Sequence, residues 1–262
     1  MYISSLRVAI SRLLIALTLI ASLATFTGCA SYAAPGRAAD FKALGVTREQ
    51  LTDFAINDAL AKQPLAAFPC GIAAVRIQAP GYRSATAEGW GSGQYSVITT
   101  RDIEKDEQFE HLGHLPMVKG IAPINRLLLP EELNSAMELR KAAAVLHADM
   151  LLIYTLDTTF HTRDEVVPLT VVTLGLSPNQ IVHVISTASA ILVDTRNGYL
   201  YGYAEATEKT DQLTSGWTKV PAIDAARRRA EEKAFAKLTV AIEGSWKKVV
   251  QNYATAQTAA SR

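Results

Sequence analysis

The alternation of apolar and polar positions divides the chain into a short leader, a spacer of small residues, and a long stretch in which helix-period and strand-period runs succeed one another. The leader carries Arg7 and Arg12 with no acidic residue and passes into an apolar run from Leu13 to Phe26. Its 14 residues fit the core of a signal peptide and fall short of the about 20 that a membrane-spanning helix needs. Ala30 to Gly45, rich in Ala, Gly and Ser, reads as a tether with a coil-like reach of roughly 20–24 Å. Thr47, with Gln50 at capping-box distance, opens a helix whose Leu51, Phe54, Ala55, Asp58 and Ala61 run toward Pro64. Gly71 to Ala79 is predicted as a core strand, and Gln94 to Thr100 as a second one, after a Gly-rich loop at Gly89 to Gly93.

In the middle of the chain, Met117 to Leu128 reads as a strand stopped by Pro130, and Pro130-Glu131-Glu132 as the first turn of a helix. Leu133, Ala136, Leu139, Ala143 and Leu146 then form a stripe on one helical face. Ala148-Asp149 ends that helix, and the continuous apolar run Met150 to Leu156 completes a βαβ unit with parallel strands and a right-handed crossover. After Phe160 the pattern predicts successive antiparallel strands: Val166 to Leu176, a turn at Ser177-Pro178-Asn179-Gln180, Ile181 to Asp194, a turn at Arg196-Asn197-Gly198, and Tyr199 to Glu208. Asn197-Gly198 suggests a type I′ hairpin, and strand alternation puts Tyr199, Tyr201 and Tyr203 on one face. Pro221 to Tyr253 reads as a long helix with Phe235, Leu238, Ile242, Trp246, Val249 and Tyr253 on the buried stripe. The expected fold is therefore α/β (α+β): a single mixed sheet with a βαβ unit, C-terminal antiparallel hairpins and a long C-terminal helix. The expected organisation is a leader over 1–28, a tether over 29–45, one domain over 46–253 and a frayed tail over 254–262.

Composition supports a packed domain, since 49% of residues are hydrophobic and 19% charged, with only 15 Gly and 10 Pro. The 26 Lys and Arg stand against 25 Asp and Glu; removal of the leader with its two arginines leaves 24 against 25. A near-neutral chain offers no electrostatic case for nucleic-acid binding, and none is expected.

The leader ends in Phe26-Thr27-Gly28-Cys29 followed by Ala30 and Ser31, which is similar to the bacterial lipobox, where the cysteine becomes the first, acylated residue. That resemblance implies anchoring through Cys29, and Ala30 after the cysteine resembles the pattern sorted to the outer membrane, with the domain facing the periplasm. Cys70 is then the single remaining thiol, without a partner for an internal disulfide, and is expected to be buried and inert. Together with the lipobox, Ala122 to Pro130, Ala148 to Tyr154 and Val193 to Tyr199 resemble uncharacterised proteobacterial lipoproteins of the rhombotarget-lipoprotein kind. The order of elements also resembles the α/β domain of the curli-secretion lipoprotein CsgG and the TolB N-terminal domain. Neither resemblance carries catalytic residues.

A search for chemistry yields no defended catalytic, cofactor or metal site. Gly89 to Gly93 is neither a nucleophile elbow nor a dinucleotide loop. His111 and His114 are three apart, but Gly113 and Pro116 argue against a helix there, and a third ligand is lacking. Asp157, His161, Asp164 and Glu165 read as a solvated rim where a strand gives way to a loop, and Arg227, Arg228 and Arg229 as an exposed helix face paired with Glu231 and Glu232. In Leu169 to Leu176 apolar side chains occur at both parities, so Leu169, Val171, Val172, Leu174 and Leu176 form a candidate interaction surface for an envelope partner or a second copy. The function expected is a non-enzymatic adaptor or assembly factor in the cell envelope. The alternatives are a CsgG-like oligomer that inserts strands into the membrane and an envelope hydrolase acting around His161.

Overall fold

The computed structural model describes residues 34–39, 53–164, 180–214 and 219–254. Helix α1 (Asp53–Ala61) is followed by strands β1 (Cys70–Gln78), β2 (Ser92–Gly93) and β3 (Ser96–Ile98), helix α2 (Asp106–Gly113) and strand β4 (Val118–Pro123). A 3-10 turn at Arg126–Leu128 leads to β5 (Glu132–Leu133), α3 (Ala136–Val145) and three long strands, β6 (Met150–Asp164), β7 (Gln180–Asp194) and β8 (Leu200–Thr214). Helix α4 (Lys219–Val249) closes the fold and ends in a π turn at Val250–Ala254.

The sheet runs β3-β1-β6-β7-β8, with β4 also paired to β1. Strands β4 and β6 both lie parallel to β1, so the predicted strand–helix–strand unit exists with β1 between its two strands. Strand β3 takes the far half of the same β1 edge, pairing with Arg76 to Gln78, while β4 pairs with Cys70 to Ala74. The remaining pairs, β6–β7 and β7–β8, are antiparallel, which completes the mixed sheet with C-terminal hairpins and a long C-terminal helix.

Two apolar layers flank the sheet. On one face Ile72, Ala74, Leu152, Leu156, Ala188, Ala190 and Ala204 lie under Phe109 and Leu112 of α2 and Phe235, Leu238, Trp246 and Val249 of α4. The stripe predicted on α4 is the buried one, and Ala226, Ala230 and Ala234 extend it with side chains small enough for the helix to sit close on the sheet. Gly202 has the same role on the strand side, since a Cβ there would stand 2.8 Å from the Ser245 hydroxyl. On the opposite face Ala73, Val75, Ile77, Leu151 and Ile153 are covered by Leu139, Ala142 and Ala143 of α3 and by Ile124, Leu129 and Leu133. Residues 34–39, within the stretch read as a tether, run along the domain, and Ala39 packs in this second layer. The Ala39 N–H donates to Thr155 Oγ1 (3.2 Å) and the Arg37 carbonyl accepts from the Ala79 N–H (2.9 Å).

Several local expectations are corrected. Helix α3 starts at Ser135, not Pro130, because Ser135 and Glu138 form a capping box: the Ser135 hydroxyl accepts from the Met137 N–H and Glu138 accepts from the Ser135 N–H (3.0 Å). Glu132 and Leu133 are instead held in β5, parallel to β2. Asp106 to Gly113 is a helix, with Asp106 and Glu107 at its positive end and Phe109 and Leu112 on the core side, despite Gly113 and Pro116, which lie at its end and beyond it. Strand β6 does not stop near Phe160. It pairs with β7 from Met150–Asp194 to Asp164–Gln180, and β8 occupies the other edge of β7, so β6 is the hairpin partner of Ile181 to Asp194.

At the second hairpin only Gly198 takes positive φ (72°), while Asn197 does not, so the loop is not type I′. Asp194 organises it instead: its Oδ1 accepts from the Arg196 N–H (2.8 Å) and its carbonyl from the Gly198 N–H (2.9 Å). Just beyond, Val193 and Leu192 pair with Leu200 and Gly202, leaving Tyr201 as the extra residue of a β-bulge. The bulge reverses the parity of the strand. Tyr199 and Tyr201 pack on Tyr253 at ring distances of 6.1 and 5.0 Å, whereas Tyr203 is 75% exposed, so the three tyrosines do not share a face.

Candidate functional site

Arg76 is an arginine in the middle of an otherwise apolar strand, and the fold surrounds it with counter-charge. Its Nη1 lies 2.9 Å from Asp102 Oδ1 and 3.5 Å from Glu104 Oε1, and its Nη2 donates to the Tyr82 hydroxyl (3.3 Å). Glu104 also accepts from the Tyr154 hydroxyl (3.0 Å), which comes from the neighbouring parallel strand β6. Asp102 accepts in addition from the Thr86 hydroxyl (2.5 Å), and Thr86 in turn faces Arg227 on α4. Arg227 pairs with Glu231 (2.5 Å) and Asp224 (3.0 Å), and Glu231 accepts from the Thr158 hydroxyl (2.9 Å), itself 3.1 Å from Ser186. One network thus links β1, the loops around Thr86 and Asp102, β6, β7 and α4.

The charged centre of the network is buried, although Thr86 lies at the surface. Arg76, Arg227 and Glu231 are each 1% exposed or less, and the side chains of Asp102 and Glu104 are buried. Burial opposes the charge of Arg76 and Arg227, but the neighbouring carboxylates more than offset it and hold both guanidiniums charged. Burial also raises the Glu231 carboxyl above its ordinary value, against the pull of Arg227 and Arg76. The Tyr154 hydroxyl is pushed up by burial and by the Glu104 carboxylate, which keeps it a donor. A small polar cavity adjoins this cluster, bounded by Arg76, Glu104, Tyr154, Thr100 and Arg101.

A second polar cluster sits at the start of the parallel strands. Asp149 accepts from the Gly71 N–H (3.1 Å) and from Arg196 (3.2 Å), while Asp194 accepts from the Leu65 N–H and the Tyr201 hydroxyl (both 2.9 Å). The segments 148–154 and 193–199, singled out in the sequence, therefore meet here, and their carboxylates tie down backbone amides.

The structure disperses the other candidates. His111 on α2 meets Glu243 of α4 (3.1 Å), and His114 caps α2 through the Glu110 carbonyl (2.7 Å). Among the described residues no group of three or more His, Cys, Asp or Glu could hold a metal ion. Asp157 and His161 stand exposed on strand β6 rather than on a loop rim, and Asp164 ends that strand. Arg228 pairs with Glu232 at a part-exposed site as expected, but Arg227 and Glu231 are buried, which corrects the solvated-face reading. Cys70 is fully buried, and desolvation with the nearby Asp149 pushes its thiol up to about 12. Cys29, Glu165 and the surface residues Leu169, Val171, Val172, Leu174 and Leu176 lie outside the described residues. The Arg76 network was missed in the sequence, although an arginine between Val75 and Ile77 was its visible signal.

Among the described residues no helix is long and apolar enough to cross a membrane. No family model matches the chain, and no curated protein matches it. Some solved structures are similar to parts of the chain. A Xanthomonas campestris protein of the DUF330 family is 11% identical, with 72% of this chain and 92% of that one covered at a TM-score of 0.34. The lipoprotein GNA1162 from Neisseria meningitidis is 16% identical, covering 55% and 84% at 0.27. The PelC dodecamer from Paraburkholderia phytofirmans is 9% identical, covering 68% and 95% at 0.28.

Proposed function

We propose that the protein is a lipid-anchored envelope protein, held at the outer membrane through Cys29 and facing the periplasm, whose α/β domain acts as a non-enzymatic adaptor or assembly factor. The observation that carries this reading is the mutual pairing of the buried charges in the Arg76 network. Arg76, Glu104, Arg227 and Glu231 are buried, and each is paired with a counter-charge or a hydroxyl of the same network. Charges engaged in this way hold α4 on the sheet, which supports a structural role for them. The motifs at 122–130, 148–154 and 193–199 further support a place among rhombotarget-type lipoproteins.

The contact surface is assigned to the apolar residues of 166–176, which fall in the chain between Asp164 of β6 and Gln180 of β7. Val172→Lys tests it: capture of the partner or of a second copy should be lost while the melting temperature is kept. Unfolding of the variant would assign that face to the core and remove the surface. The 15-residue strands β6 and β7 favour, as a second reading, an oligomer that inserts strands into the membrane, since such strands need about 9 to 11 residues. A larger assembly in detergent than in aqueous buffer, once the anchor is removed, would select that reading over the adaptor. Labelling of the protein by a hydrolase-directed probe around His161 would overturn both.

A further inference from the structure

We infer that the surface formed by Trp90, Arg126 and Leu127 docks on the bilayer that holds the chain's own anchor, with Leu127 and the Trp90 indole in the headgroup region. The inference rests on the lipid-anchor reading above. Leu127 is 86% exposed, more than any other large apolar residue described. It is not on a loose loop. It sits in the 3-10 turn, where the Asn125 side chain accepts from its N–H (3.0 Å), and the turn is fastened on either side by buried Ile124 and Leu129. The Arg126 guanidinium stands over the Trp90 ring at 5.6 Å, and the Trp90 backbone is paired in both directions with Val97 (2.8 and 2.9 Å). A rigid indole, a cation and a projecting aliphatic side chain suit the boundary between acyl chains and headgroups.

The path of the chain selects the bilayer as the occupant. Going back from Ala39 beside Thr155, the chain passes Ala79 at Arg37 and Tyr82 at Gly36, where an added Cβ would lie 3.4 Å from the Tyr82 Cα. The Tyr82 carbonyl accepts from the N–H of Gly89, the residue before Trp90 (2.9 Å). The segment therefore leaves the domain beside Tyr82 and the Trp90 loop, at the β3 end of the sheet, where Trp90 pairs with Val97 of β3. Five peptide units separate Ala34 from Cys29, and fully extended they span at most about 18 Å. An acylated Cys29 lies at the bilayer surface, so that surface is within this distance of Ala34, which leaves the domain beside the Trp90 loop. Exposed Arg37 and Arg126 offer positive charge to anionic headgroups, while Arg83 is engaged by Glu88. Because the anchor already holds the domain there, even a weak patch is occupied at high effective concentration.

The test uses the full, lipidated chain in vesicles of phosphatidylethanolamine and phosphatidylglycerol, with Leu127→Cys carrying an environment-sensitive fluorophore. Acylation of Cys29 and burial of Cys70 leave the new thiol as the one that reacts. Val240→Cys, on the solvent side of α4 and 69% exposed, is the comparison. The expected result is that both proteins float with the vesicles, that the label at 127 shifts to the blue and is quenched several-fold by lipids brominated on their acyl chains, and that the label at 240 does neither. A floated protein whose label at 127 stays water-like overturns the docking and leaves the anchor intact. A blue shift without quenching assigns the patch to a second copy instead. Failure of the Cys29 protein to float removes the anchor reading and the docking with it.

Discussion

An arginine inside an apolar strand has to be met by counter-charges from elsewhere in the chain, and Arg76 draws them from Asp102 and Glu104, both well downstream in sequence. The consequence at residue scale is a pH dependence located at Glu231. Burial holds its carboxyl above the ordinary value of 4.5, so the folded protein binds that proton more tightly than the unfolded chain. Its contribution to stability is therefore complete below about 4.5 and is lost as the pH rises through the folded value. Glu231→Gln should flatten that loss: urea unfolding between about pH 4 and 8 should show the variant gaining on the parent as the pH rises. Parallel curves would show that the carboxyl titrates as it does in the unfolded chain. Cys70 gives a second expectation. With its thiol pushed up to about 12 by burial, it should resist iodoacetamide at neutral pH in the folded protein and react once the chain is unfolded.

At the scale of elements, α4 is the main cover of one sheet face, with Trp246 donating its indole N–H to the Pro116 carbonyl (2.8 Å) and Leu238 fully buried. Truncation of either to Ala should cost roughly 2–5 kcal/mol in denaturant unfolding. An unchanged midpoint for both would mean that the helix stands off the domain. This helix was legible in the sequence because its stripe holds one period over its length, as were β1 and the start of β6, whose buried runs are continuous. The misread places have a common physical cause: a local signal yielded to a partner distant in sequence. Pro130-Glu131-Glu132 looks like a helix start, but Ser135 and Glu138 cap the helix better and β2 takes Glu132 and Leu133. Beyond Leu156 strand β6 turns polar even on its inner face, and Glu231 on α4 and Ser186 on β7 make an inward Thr158 acceptable. The Tyr201 bulge leaves no mark in the alternation at all, since it depends on the pairing of β8 with β7. The Arg76 network was half visible, as an anomalous residue whose partners could not be read from spacing.

For the whole molecule, Cys29→Ser should move the protein from the membrane fraction to the soluble one with its unfolding midpoint unchanged, because the described core draws on residues from Ala39 onward. Retention at the membrane in high salt would show that something other than the acyl chains holds it. The topology of the sheet also bears on how the protein is made. Strand β1 is the centre of the parallel region, yet its neighbours β4 and β6 are synthesised later, and the Gly71 amide waits for Asp149, 78 residues on. The β6–β7 and β7–β8 pairs close between neighbours in the chain and face a smaller entropic barrier. A chain made from its N-terminus thus presents β1 early, with its edges open until β4 and β6 have been made. That interval is when this strand is most open to pairing with another chain.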